Sequence, residues 1–245
     1  MPPPTMDSLL KTPGIVIKSV KYGDHAMIVT LYTREKGIQS FWFRRKIGDQ
    51  KIKALVAPLA QLQVIARIRH HETIYSPIEV TQTIPYVSLF QDPVKSSMVL
   101  FLSEWLKKVL KEEEHNHPLF DFLTTSLNEM DRPGQLHPSF HLSFLLHLTR
   151  YLGFLPDTDT YHTGYSFCAE EGIFKPEHLL QYVSSSVETG QRLYELSGIS
   201  FDQYQQFRAD KDTRNLLLDL LIHYYRIHIP GFGELKTLPV IRTLF

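Results

Sequence analysis

The hydrophobic period of this 245-residue chain changes once, near residue 90, and that change decides what it can fold into. Before it, apolar residues alternate with polar ones or form short β-branched runs. From Pro93 onward they recur every three to four residues. A chain divided in this way is not a βαβ repeat. It reads as strands first and helices second, an α+β multidomain protein. The boundary falls between residues 82 and 83.

Five strands are predicted in the head. Ile15, Val16 and Ile17 follow Pro13-Gly14 and run on through Lys18, Val20 and Tyr22. Gly23-Asp24 is turn chemistry. Residues 26–33 form a second strand, and Gly37 supplies the positive-φ position of the next hairpin. Residues 38–43 form a third strand and 44–53 a polar loop. Residues 59–68 alternate as a half-buried strand does, and 73–80 are a shorter fifth. Five strands with no helix between them make a small barrel or a compact sheet. An oligonucleotide-binding barrel and an SH3-like barrel both fit this length.

Helices are predicted over 93–109, 118–130 and 138–152. Asp92 caps the first ahead of Pro93. Residues 153–185 are irregular. Helical spacing returns over 187–197 and 210–229, the latter apolar almost all round and therefore buried. The apolar tail, 235–245, docks on the body.

Composition narrows the function. A hydrophobic content of 43% with 21% charged residues excludes a disordered chain. No run nears the roughly 20 apolar residues that span a bilayer. A single cysteine, Cys168, excludes a disulfide framework and a multi-cysteine zinc site, and points to a reducing cytoplasm. The net charge of zero conceals an asymmetry. Residues 1–80 hold 12 Lys and Arg against 6 Asp and Glu, and the remainder holds 14 against 20. Such a split marks a partner-binding surface.

Catalytic motifs are missing. There is no GxxxxGK[ST] phosphate loop and no GxSxG elbow. Gly231-Phe232-Gly233 reads as a helix stop. His137 with His141, His115 with His117, and His70-His71-Glu72 read as surface or interface histidines, because a metal needs three or four converging groups. Cys168 reads as a packing residue, and Glu112 to Glu114 as a solvated helix end. No catalytic, metal or cofactor residue is assigned.

The positive signal is in the head. Phe41, Trp42 and Phe43 run into Arg44, Arg45 and Lys46, with Lys51 and Lys53 close behind. These five cations are the first candidates for phosphate contact. Lys18, Lys21, Arg34, Lys36, Arg67 and Arg69 extend the set on neighbouring strands. Cations neutralise phosphates, and aromatic faces stack on bases without demanding a sequence. Alternation sends Phe41 and Phe43 to one side of the strand and Trp42 to the other, so Trp42 is the stacking candidate. In the body, Lys107, Lys108 and Lys111 are candidates for the carboxylates of an acidic protein tail.

Several motifs, in this order, resemble the RecO family of bacterial recombination mediators. They are Gly14-Ile15-Val16, Tyr22-Gly23-Asp24, Leu31-Tyr32-Thr33, Gly37, Pro58-Leu59, the GFLP of residues 153–156, and Leu235-Lys236-Thr237-Leu238. The resemblance covers most of the chain. It implies an N-terminal oligonucleotide-binding (OB-fold) barrel followed by a helical domain. It also implies binding of single- and double-stranded DNA, annealing of complementary strands without ATP, and a place near the nucleoid. The implied partners are RecR and the C-terminal tail of single-strand-binding protein. Two departures stand out. Many members carry two Cys-x-x-Cys pairs for a structural zinc after the GFxP element. Here Cys168 is alone, so no zinc is expected and packing must hold the segment. The Arg44-Arg45-Lys46 stretch replaces a glycine and one basic residue. Two other readings compete: a protein-binding adaptor with no direct DNA role, and a hydrolase whose groups only the fold would assemble.

Overall fold

A computed structural model describes residues 8–23, 25–44, 50–68, 73–111, 115–179 and 185–245, except for the side chains of residues 8, 50, 51 and 53. The chain divides into two compact units, Met1–Pro133 and Gly134–Phe245. The first therefore holds, besides the barrel, the first two helices predicted for the body.

The barrel strands are β1 (Ser8–Tyr22), β2 (Ala26–Thr33), β3 (Gly37–Arg44), β4 (Gln61–Ile68) and β5 (Ile74–Gln82), closed in the order β1-β2-β3-β5-β4. β1 begins seven residues earlier than its apolar run because its first half has a partner of its own. Residues 8–15 pair with β4, and residues 14–22 pair with β2. One strand thus serves both sides of the seam, with a register shift between Val16 and Lys18. Where β1 changes partner it carries Gly14, at which a Cβ would stand 3.2 Å from the Leu31 side chain. β3 and β5 close the barrel in parallel, Ser40 opposite Ile74 and Phe41 opposite Tyr75. This order settles the choice between barrels in favour of the OB-fold. Inside are Val16, Val29, Leu31, Phe41, Phe43, Leu62, Val64 and Ala66.

The loop expected over 44–53 contains a short helix, α1 (Gln50–Leu55). Six residues cannot hold a helix in water. Here Leu55 and Val56 pack against the barrel core, and Val56 N–H donates to the Ile52 carbonyl at 3.0 Å. Tertiary contact overrides the polar composition. The chain then enters β4 through Leu59, whose φ of 60° is unusual for a residue with a side chain. That conformation costs about 1–2 kcal/mol. Leu59 N–H donates to Val16 O at 2.8 Å, and the Tyr86 hydroxyl donates to Leu59 O at 2.8 Å.

Helices α2 (Pro93–Val109) and α3 (His117–Asp131) complete this unit. Asp92 caps α2 as expected, accepting from Val94 N–H and Lys95 N–H. Asp131 accepts from the backbone N–H groups of Val87, Ser88 and Leu89 at 2.7–2.9 Å. Burial alone would raise this carboxyl, but those donors hold it below the usual range. Lys95 is buried and donates to Ser88 Oγ and to the Arg132 carbonyl. The Gln61 amide of β4 donates to Tyr86 and to Asn128 of α3. These polar contacts pin the connector and α3 to the barrel.

The second unit contains α4 (Phe140–Tyr151), the hairpin β6 (Ser166–Cys168) and β7 (Ile173–Lys175), α5 (Val187–Ser197), α6 (Lys211–His228) and α7 (Leu238–Leu244). The hairpin lies in the irregular segment and is held by rings. Phe167 and Phe174 are buried with centroids 5.1 Å apart, and Tyr161 and Tyr224 meet them edge-on at 5.3 Å. Cys168 is buried beside them. The tail docks as expected. Ile241 and Phe245 are buried, and Arg214 donates to the Phe245 carbonyl.

Two expectations are corrected here. α6 is not buried all round: Leu216 and Ile227 face solvent, because the helix has only one packed side. His141 is not a surface histidine. It lies on the core side of α4, its ring 5.3 Å from Phe245. His70-His71-Glu72 and Glu112 to Glu114 lie outside the described residues.

Burial first, and Arg214 second, push the His141 imidazole from 6.5 down to about 3. The folded state therefore stays neutral while the unfolded chain takes up a proton. Stability from this site is full above pH 6.5 and declines as pH falls toward 3, by about 1.4 kcal/mol per pH unit. Replacing His141 by Leu is expected to flatten that acid limb in denaturant titrations at pH 7, 6 and 5. For the ring cluster, Phe174→Ala is expected to lower stability by about 3–5 kcal/mol. A chelator is expected to leave the thermal midpoint of the unaltered chain unchanged.

Candidate nucleic-acid interface

The β-pleat sorts the third strand as expected. Phe41 and Phe43 point into the barrel, while Trp42 points out and is 41% exposed. Register shows which side chains share the outward face. Lys18, Thr30 and Ser40 stand side by side across β1, β2 and β3. Val20, Ile28 and Trp42 form the next row, and Tyr22, Ala26 and Arg44 the next. The face therefore carries two aromatic rings, Tyr22 and Trp42, with Lys18 at one end and Arg44 at the other. The rings meet edge-on at 5.3 Å, and Tyr22 is 55% exposed. Beside them a groove of about 560 Å³ is lined by Trp42, Phe43, Arg44, Ser76 and Pro77. Arg67 of β4 is exposed and opposes Ser76, one strand beyond the groove.

Other predicted contacts fall elsewhere. Arg34 and Lys36 sit in the β2–β3 hairpin, about 20 Å along the strand from Arg44. Arg34 makes a bidentate pair with Asp121 of α3, both N–O distances 3.2 Å, and that pair raises its pKa. Lys21 is exposed near the end of β1, in the row opposite Met27. Arg45, Lys46 and Arg69 lie outside the described residues, as do the side chains of Lys51 and Lys53. Lys107 and Lys108 form the last turn of α2, and Lys111 follows it.

Sequence reasoning missed Tyr22 as a site residue. Its sign was present, since Tyr22 shares the parity of Lys18 and Val20. Only the β1–β2–β3 register places it beside Trp42. Chemically, this face can hold an anion chain by its cations and a flat apolar group by its rings. Among the described residues no three His, Cys, Asp or Glu side chains converge to hold a metal, and no helix is long and apolar enough to cross a membrane.

The second unit has its own pocket of about 400 Å³, lined in part by His137, Phe207, Arg208, Asp210 and Arg214. Arg208 lies 3.1 Å from the His137 ring nitrogen. Burial, then Arg208 and Arg214, lower the His137 pKa.

Comparison with known proteins agrees along the whole length. A family model described as Recombination protein O N terminal matches residues 6–85, and one described as Recombination protein O C terminal matches 90–239. The chain is 34% identical over 241 residues to a DNA repair protein RecO of Phocaeicola vulgatus, covering 97% of this chain and 99% of that one. It is 35% identical over 243 residues to the protein of the same name from Bacteroides fragilis, with the same coverage. A Flavobacterium psychrophilum relative is 34% identical over 241 residues, covering 96% and 99%.

The two sides of β3 separate in mutagenesis. Trp42→Ala is expected to leave unfolding free energy within about 0.5 kcal/mol of the unaltered chain. Phe41→Ala is expected to cost about 3–5 kcal/mol. Urea titration of both variants reads the difference.

Proposed function

Because this chain belongs to the RecO family of DNA repair proteins, we propose that it binds single- and double-stranded DNA through the outward face of its barrel and anneals complementary strands without ATP. With RecR it helps to load recombinase onto DNA coated with single-strand-binding protein, in the cytoplasm beside the nucleoid. The observation that carries this reading is the exposed Tyr22–Trp42 pair, with Lys18 and Arg44 on the same three-stranded face. OB-folds bind oligonucleotides on this face, formed by their second and third strands.

The chemistry is association, with no covalent step. Two strands repel through their phosphates, and bound Lys and Arg replace their counterions. Rings that stack on bases from one side leave the pairing edges free, so a second strand can pair while the first is held. An acidic protein tail needs a different surface. The arginine-lined pocket of the second unit supports such a contact, as does the basic end of α2.

Fluorescence anisotropy of a labelled single-stranded oligonucleotide, titrated at several salt concentrations, tests the proposal. Three phosphate contacts give a log–log salt slope of about −2. Arg44→Glu is expected to weaken binding across sequences and flatten that slope. Complementary strands are expected to anneal faster with the protein and no nucleotide. Affinity indifferent to salt, or no acceleration, would favour a protein-binding adaptor.

A further inference from the structure

The barrel face does not end at β1. Helix α2 packs against that strand, and the Ser103 hydroxyl lies 3.5 Å from the Ile17 carbonyl, both residues buried. Lys107 is four residues after Ser103, one helical turn further along the same side of α2. Lys18 is the residue after Ile17. Two cations from separate elements are thus brought together, and both are exposed. Burial first lowers the Lys107 pKa, Glu104 one turn away partly restores it, and Lys18 lowers it again. Like charges that approach across a packed contact are unfavourable until an anion joins them.

The position of Lys18 says which anion. It shares the face of Tyr22 and Trp42 and lies about 13 Å along β1 from Tyr22. A single strand with a base on Trp42 would run along β1 and reach Lys18 next. From there its backbone meets Lys107.

We infer that the nucleic-acid track crosses β1 and continues onto α2, with Lys18 and Lys107 holding neighbouring phosphates of one single strand. This rests on the barrel-face reading and extends it. It assigns Lys107 to DNA instead of to a protein tail, and makes the first body helix part of the DNA-binding surface. The strand on this track is single because a base stacked within a duplex cannot offer its face to Trp42.

The test uses the full chain and a labelled single-stranded oligonucleotide, with salt slopes measured for the unaltered protein, Trp42→Ala, Lys18→Gln, Lys107→Gln and the double lysine variant. Lys107 is exposed, so its replacement is expected to leave the thermal melt unchanged. Each lysine variant is expected to bind several-fold more weakly and to lose about 0.7 from the magnitude of the slope, the double variant about 1.4. Trp42→Ala is expected to weaken binding with the slope kept. Should Lys107→Gln retain full affinity and slope while Trp42→Ala still weakens binding, the track stops at the barrel and the extension is wrong, with the face reading intact. No salt-dependent binding by the unaltered protein overturns both. Lys107→Gln that spares the oligonucleotide but weakens an acidic, apolar-ended peptide returns this helix end to the protein-tail role and overturns the inference.

Discussion

Closure of the barrel through β1 is the constraint from which the rest follows. β1 pairs with β4 along its first half and with β2 along its second, so no edge of this sheet is left open at that seam. Sharing one strand demands close approach at Gly14 and an abnormal backbone at Leu59, which is tied on both sides to the seam. Once closed, the barrel has only an inside and an outside. The pleat then leaves no freedom: Phe41 and Phe43 fill the core, and Trp42 must face water. The exposed tryptophan is a consequence of closure. The same register brings Tyr22 to it from two strands away.

A second set of contacts decides what lies beside that face. Asp131 gathers three backbone N–H groups, Lys95 bonds Ser88 and the Arg132 carbonyl, and Gln61 reaches Asn128. Lys95 and Gln61 are buried and Ser88 is half-buried, and out of water an unpaired donor or acceptor costs about 1–3 kcal/mol. Their mutual satisfaction fixes α2 and α3 on the barrel. That is why a helix from the acidic part of the sequence contributes Lys107 to a surface of the basic part. It is also why Arg34, basic and near the face in sequence, is held by Asp121 at the other end of the strand.

The second unit relies on rings around the segment that holds its one cysteine, Cys168. Phe167, Phe174, Tyr161 and Tyr224 form tilted and edge-on contacts around a hairpin of three-residue strands. Such pairs contribute about 0.5–1.5 kcal/mol each beyond their buried area. His228 stacks on Phe154 with centroids 5.0 Å apart, and the Tyr224 hydroxyl bonds the Phe154 carbonyl. The hairpin itself is joined to α6 by Tyr224, which meets Phe167, and by His228, whose ring nitrogen lies 2.9 Å from the Ala169 carbonyl.

Local chemistry determined much of this protein without reference to its fold. Period two and period three-to-four patterning separated barrel from helices. Asp92 announced its helix, Gly37 its hairpin, and alternation in residues 41–43 the outward tryptophan. These are short-range effects of backbone geometry, and they survive in any arrangement of the elements. What tertiary structure alone decided depended on residues distant in sequence. The parallel β3–β5 pair selected the OB-fold over a similar barrel. Packing made a helix of residues 50–55, and the core took His141, which spacing placed at the surface. The partner of Tyr22, the partner of Arg34 and the neighbour of Lys107 come from strands and helices 20 to 90 residues away. Local pattern carries no information about such pairs, because only closure of the barrel and docking of α2 and α3 bring them together.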